Sequence, residues 1–307
     1  MDSPKLQAGD GQGGGGGGPT AVLVAAYREF VLGGHMLAVG TASMAAASAI
    51  LLGVAATPLL LVMAYLFSYG AYMMNRSTEI GSDAASHPER TAHLDSRKKY
   101  LPAISGGCFL LGYVFAYTVN LIFFAALLVP LAFSILYSVG SKRLVGVIGV
   151  AKLKDKLFVK NLFVSLGWAL IPLLVGLYYL RFEGVLLLMG GFIFLRLMVN
   201  TLIFDVRDAE GDKAQGIRTV PVVYGTAGTY RIMAAIDFGT LAYLAGAILA
   251  GLLPITAAVL ALLPGYSLAY TLLARRPKAN LGLICDVLVD GEYLLWGPLM
   301  YIGAAVF

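Results

Sequence analysis

The sequence predicts an all-α, polytopic membrane protein, and three observations carry that prediction. Hydrophobic residues make up 59% of the 307 positions and charged residues only 13%, whereas about a quarter of a soluble domain is charged. Apolar runs of about twenty residues, the length that crosses a bilayer as a helix, recur along the chain. They are continuous rather than alternating, which disfavours a membrane β-barrel. Lysine and arginine collect in alternate loops, the asymmetry that orients a multi-pass protein.

Taken in order, residues 1–20 contain Gly13 to Gly18 in a row and no packed apolar pattern. That composition predicts a flexible tail, followed by one membrane domain over 21–307. No basic stretch leads into a short apolar run with a cleavage site, so the tail does not read as a signal peptide. A short amphipathic segment around Tyr27 to Leu32 is expected at the membrane interface. Nine spans are expected, at 36–53, 57–74, 101–118, 120–139, 161–180, 184–204, 229–251, 254–273 and 285–306. With a cytoplasmic amino terminus, loops 75–100, 140–160, 205–228 and 274–284 face the cytoplasm. They hold nearly all the loop cations, Arg97, Lys98, Lys99, Lys152, Lys154, Arg275 and Arg276 among them, while the opposite loops hold Arg181 alone. The expected location is a multi-pass protein of the cell membrane.

The net charge of +5 reflects this topology and not a nucleic-acid surface. Basic loops on one side meet anionic lipid headgroups or anionic substrates. Cys108 and Cys285 both fall in apolar segments, without metal-ligand spacing, and read as buried thiols. His35, His87 and His93 form no ligand pattern, and no Ser-His-Asp arrangement is present.

Two acidic clusters carry the chemistry. Asp205, Asp208 and Asp212 stand at i, i+3 and i+7 beyond the sixth span, so a continuing helix puts them on one face. Asn75, Glu79 and Asp83 stand at i, i+4 and i+8 beyond the second span, again one face and by topology the same side. A single acidic triplet reads equally as a solvated loop. Two such faces on one membrane side can hold hard cations such as Mg²⁺ between them, which bind oxygen ligands and complete their shell with water and phosphate. That arrangement suits a diphosphate whose departure leaves a carbocation, with loop cations on the remaining oxygens and the bundle interior keeping a lipid tail dry.

At these residues the chain resembles the UbiA superfamily of intramembrane prenyltransferases, marked by Asn-Asp-x-x-Asp-x-x-x-Asp after the second span and Asp-x-x-x-Asp after the sixth. The second motif is complete in Asp208 and Asp212, preceded by Asp205 and followed by Gly216, Thr219, Val220 and Pro221. In the first, Asn75 and Asp83 match, Arg76 replaces an Asp and Glu79 replaces another. The resemblance covers residues 25–307. It implies a helical bundle around a central cavity open to lipid, with Asn75, Asp83, Asp208 and Asp212 binding Mg²⁺ and diphosphate and Glu79 and Asp205 assisting. Arg76 either contacts the diphosphate or weakens metal binding. Lys142, Arg143, Lys160 and Arg218 are candidate diphosphate clamps, and each also reads as a topology-setting charge.

Arg196 lies midway along the sixth span, where a charge calls for a partner or a cavity; Asp286, Asp290 and Glu292 are its expected partners. Asn120 and Asn200 read as helix-end or packing groups. The expected activity is Mg²⁺-dependent transfer of an isoprenyl group from its diphosphate to a lipid-soluble acceptor. The alternatives are a membrane terpene cyclase of the same superfamily and a lipid or ion transporter, the last disfavoured because both clusters lie on one side and transport sites centre near the midplane. Neither acceptor nor oligomeric state is written in the sequence.

Overall fold

The computed structural model describes residues 19–79, 88–138 and 158–307. No strand occurs among them, and the helices follow the apolar runs. Helix α1 (Pro19–Leu32) starts on a proline, whose missing N–H costs nothing at a first turn. It ends at Gly33-Gly34, and α2 (His35–Leu51) leaves at 62° to it. Gly34 sits at φ 85°, and a Cβ there would run into the Tyr72 ring, so this turn needs glycine on two counts.

Then come α3 (Pro58–Glu79), α4 (Pro88–Asp95), α5 (Leu101–Val119), α6 (Leu121–Ala126) and α7 (Leu128–Ser138). Asn120 separates α5 from α6: its Oδ1 caps α6 by accepting from Phe123 N at 2.7 Å, and its Nδ2 donates to the Leu177 carbonyl at 3.1 Å. The expected span at 161–180 is α8 (Val159–Ala169) and α9 (Ile171–Tyr179), which meet just before Pro172. Helix α10 (Gly184–Ala214) has 31 residues, hence about 46 Å of rise. That exceeds a hydrocarbon core of about 30 Å, so its C-terminal turns reach past the apolar layer. Gly216, at φ 72°, stops it: Ile217 N donates back to Asp212 O at 2.9 Å and Gly216 N to Lys213 O at 3.2 Å, the paired bonds of a Schellman end.

Helix α11 (Val220–Leu249) kinks at Gly225, so the straight part begins near the expected start at 229. A 3₁₀ segment (Ile255–Ala261) leads into α12 (Leu262–Ala274), and a π-helical turn (Ile284–Val289) leads into α13 (Asp290–Val306). Among the described residues five helical segments are long and apolar enough to cross a membrane, and α1 with α2 makes six if the bent pair is one span. The expected spans at 57–74, 120–139 and 285–306 are helical, but α3 carries Tyr65, Ser68, Tyr69 and Tyr72, α6 and α7 are short, and Asp286, Asp290 and Glu292 interrupt the last.

Helix α13 lies along α2, α3 along α5, and α10 against α8 and α11. The α2–α13 approach is close because α2 offers Gly40, Ser43 and Ala47 and α13 offers Gly297; a Cβ on Gly40 would strike Tyr293, and one on Gly297 would crowd Ser43. One charge is locked inside this packing. Arg196 is fully buried, and its guanidinium donates to both Glu292 oxygens at 2.9 Å and to Asp237. Tyr270 donates to Asn200 Oδ1 at 2.8 Å and lies 3.3 Å from Glu292. Thus α10, α11, α12 and α13 share one polar knot. This corrects the expected partners of Arg196: Glu292 is one, Asp237 is the other, and Asp286 instead contacts Arg207 at 3.3 Å.

A second polar knot lies near the α1–α2 turn. Arg97 donates to Glu29 Oε1 at 2.8 Å and Oε2 at 2.5 Å, and His93 Nε2 lies 3.1 Å from Oε2. Hydrogen bonding from Arg97 leads the causes that hold the Glu29 carboxyl at about 2, well below its ordinary 4.5.

Two outcomes follow. Arg196→Leu leaves two buried carboxylates without their counter-charge and is expected to lower stability by about 3–5 kcal/mol, read as thermal unfolding in detergent. The carboxyl of Glu29 is depressed in the fold, so its contribution is fully present above pH 4.5 and is lost as pH falls through about 2. Glu29→Gln is expected to flatten the acid limb of melting temperature against pH across that window.

Candidate active site

The helix ends that carry the two acidic clusters surround one cavity of about 490 Å³, within the size range of small-molecule sites. One end is apolar, with Leu60, Met63 and Phe67 of α3, Phe109 of α5, Phe123 of α6 and Leu174 of α9. The other is polar, with Asn75 and Arg76 of α3, Arg90 of α4, Lys160 of α8, Arg207 and Asp208 of α10 and Asp290 of α13. Along α3, Leu60 to Arg76 is sixteen residues, about 24 Å of helix. The cavity therefore grades from hydrocarbon to charge along one wall.

The polar end is tightly cross-connected. Arg207 donates to both oxygens of Asp208, Nε to Oδ1 at 2.9 Å and Nη2 to Oδ2 at 3.1 Å, and its Nη1 reaches Asp286. Its guanidinium also stacks 4.7 Å over the Phe204 ring. Arg76, Arg90, Arg207 and Asp290 all line this end, so elements far apart in sequence converge there. A π-helical turn precedes Asp290; Asp286 within it contacts Arg207, and Asp290 lines the cavity.

The residues of the sequence reading fall into three groups. Asn75, Arg76, Lys160 and Asp208 line the cavity together. Asp205 and Asp212, on the same helix, do not line it. Asp205 is buried, its Oδ2 accepts from Asn161 at 2.8 Å and its Oδ1 lies 3.4 Å from Lys160 Nζ. Asp212 keeps Oδ2 buried with no hydrogen-bond partner among the described residues, as does Asn75 with Oδ1. Arg218 is exposed beyond the end of α10 and stands apart from the cavity lining. Asp83, Lys142, Arg143 and the Glu79 side chain lie outside the described residues. Among the described residues no group of three or more His, Cys, Asp and Glu side chains is placed to hold a metal ion; Asn75 contributes an amide oxygen and falls outside such a group by residue type.

Arg90 and Arg207, within the basic loops, and Asp290, an expected partner of Arg196, are cavity residues that sequence reasoning did not place there. Arg90 and Arg207 are indistinguishable in sequence from topology-setting loop cations, and Asp290 reads as a partner for Arg196 if the last span is taken as a regular α-helix.

Fold and site define a membrane-embedded helical bundle with an amphipathic cavity. The UbiA prenyltransferase family model matches residues 36–281, and the chain belongs to that family. Among solved structures, a UbiA homologue from Archaeoglobus fulgidus is similar in fold. As bound to DMAPP and Mg²⁺ it has a TM-score of 0.59 at 16% identity, over 92% of this chain and 99% of that one. As bound to GPP and Mg²⁺ the TM-score is 0.60 at 16% identity, over 91% and 99%. A digeranylgeranylglyceryl phosphate synthase structure gives 0.57 at 15% identity, over 92% and 99%. No match to the chain is found among curated proteins.

Asn161 is the neutral partner that completes the hydrogen bonding of the buried Asp205 carboxylate. Asn161→Leu is expected to cost about 1–3 kcal/mol of stability, measured by thermal unfolding, with the cavity-lining residues left in place.

Proposed function

We propose that the protein binds an isoprenyl diphosphate, diphosphate against Asn75, Arg76, Arg90, Lys160 and Asp208 and hydrocarbon chain along the apolar end, and transfers the prenyl group to a lipid-soluble acceptor. The observation that carries this reading is the single cavity whose one end is aromatic and aliphatic and whose other end gathers four cations with Asn75 and two carboxylates. The similar homologue structures hold DMAPP or GPP together with Mg²⁺, which supports the same class of substrate here.

The residues present suit Mg²⁺. Asn75 Oδ1 and Asp212 Oδ2 are buried oxygens with no hydrogen-bond partner among the described residues, and an oxygen-only donor set favours a hard cation. Asn75, Asp208 and Asp212 would hold the ion, with Glu79 and Asp83 from the first cluster and Asp205 alongside. When bound, Mg²⁺ supplies neutralisation of the charge that grows on the departing diphosphate.

The chain's own groups do the rest. Arg76, Arg90 and Lys160 donate charge-assisted hydrogen bonds to phosphate oxygens, and these strengthen as the C1–O bond breaks and its electron pair moves to diphosphate. Lys160 is itself steadied by Asp205. Lys142, Arg143 and Arg218 are further candidates for the same anion. Apolar walls orient the chain and keep water from the prenyl cation, so that the acceptor captures it. The nine-span arrangement with cytoplasmic cap loops completes the proposal. Its support is the contrast between the cations around the site end and Arg181, paired with Glu183, at the other.

Purified protein in detergent, given a panel of isoprenyl diphosphates, is expected to release diphosphate with Mg²⁺ and not with EDTA. Asp208→Ala should lower the rate by about 100-fold or more. Mass analysis with a membrane lipid extract should show a prenylated lipid. A cyclised hydrocarbon formed without any acceptor would replace transfer by cyclisation, and no release under any condition would overturn both.

A further inference from the structure

Arg90 reaches the polar end of the cavity from α4, an eight-residue helix that is not long enough to hold itself in place. Two attachments help to hold it. Leu94 is 2% exposed and packs with Met73 and Leu101. The second attachment is Glu29 of α1, which does not line the cavity at all. Both of its oxygens accept from Arg97, at 2.8 and 2.5 Å, and Oε2 lies 3.1 Å from His93 Nε2. Its Oε1 is also 3.4 Å from His35 Nε2. His35 in turn places Nδ1 2.5 Å from the Tyr65 hydroxyl and stacks on Tyr69 at 4.6 Å. One carboxylate thus joins α1, the first turn of α2 and the α4 segment, and reaches α3 through His35.

The geometry points to Glu29 as a positioning residue: by clasping His93 and Arg97 it holds α4 so that Arg90 meets the diphosphate. His93 stands one helical turn from Arg90 on α4, so one contact of the clasp and the cavity cation share a helix, and Arg97 follows two residues past its end. Releasing the clasp removes one of the attachments of α4 and loosens the placement of Arg90 relative to α10. This inference rests on the proposed binding of diphosphate at that end. It assigns a binding role to a residue that does not itself line the cavity. A purely structural Glu29 would affect the protein without regard to Arg90, and that difference is measurable.

The test is a double-mutant cycle on the full-length protein in detergent, with inorganic diphosphate and Mg²⁺ as the probe and calorimetric Kd as the readout. Arg90→Ala is expected to weaken binding about 10-fold or more, as loss of a charged hydrogen bond does. Glu29→Gln should weaken it about 3- to 10-fold, and Glu29→Gln added to Arg90→Ala should weaken it no further, the signature of residues acting through one another. Arg97→Gln, which opens the clasp from its other side, should give the same pattern and stands in if Glu29→Gln does not fold. A Kd unchanged by opening the clasp, or weakened by the same factor with and without Arg90, overturns the inference. Wild-type protein that binds no diphosphate fails the reading of the site itself, whereas a clasp without effect in a protein that binds diphosphate fails this inference alone.

Discussion

The rest of this structure depends on matching one buried charge. Arg196 sits in the middle of the most enclosed helix of the bundle, and an ion in that setting is stable only when its partners are held in place. Its bidentate contact with Glu292 and its bond to Asp237 fix α13 and α11 against α10, and Tyr270 brings α12 to the same point. These contacts set the rotation and depth of α10. That helix is long enough to emerge from the apolar layer, so fixing its middle also fixes where Asp208 and Asp212 arrive at its end.

The site is built where helix ends converge, and its polarity follows from that position. Inside the bundle, apolar side chains of α3, α5, α6 and α9 close around the cavity. At the end, α3, α8, α10 and α13 each contribute charged or amide groups. The carboxylates of α10 do not share one environment. Asp205 is tied to Asn161 and Lys160, Asp208 to Arg207, and Asp212 keeps a buried oxygen without a partner among the described residues. One helical face therefore presents three environments: its innermost acid holds the scaffold and a cation, the middle one is paired with Arg207, and the outermost keeps an oxygen without a partner among the described residues.

The cations are distributed with similar economy. Arg207 is enclosed by Asp208, Asp286 and Phe204 and organises the α10–α13 junction. Arg76, Arg90 and Lys160 reach the cavity from three other elements, each supported by contacts outside it: Arg76 over Tyr72, Lys160 beside Asp205, and the Arg90 segment through Glu29. Donors held in this way would act on developing charge in the proposed transfer without reorganisation.

The sequence by itself determined the class of the fold, the order of apolar segments and the two acidic faces, because hydropathy over about twenty residues and helical spacing are local properties. It placed Asn75, Arg76, Lys160 and Asp208 together through topology alone. It named Asp286, Asp290 and Glu292 as partners of Arg196, whereas Asp237 joins Glu292 there only once the helices are packed. Around a π-helical turn, invisible to a 3.6-residue period, Asp286 contacts Arg207 and Asp290 lines the cavity. Nor could it find Arg90 as a cavity residue or Glu29 as its support, because that relation exists only once α1, α2 and α4 meet. Local patterning chose the elements, and the cost of leaving a charge unmatched in an apolar interior chose their partners, which is a property of the assembled bundle.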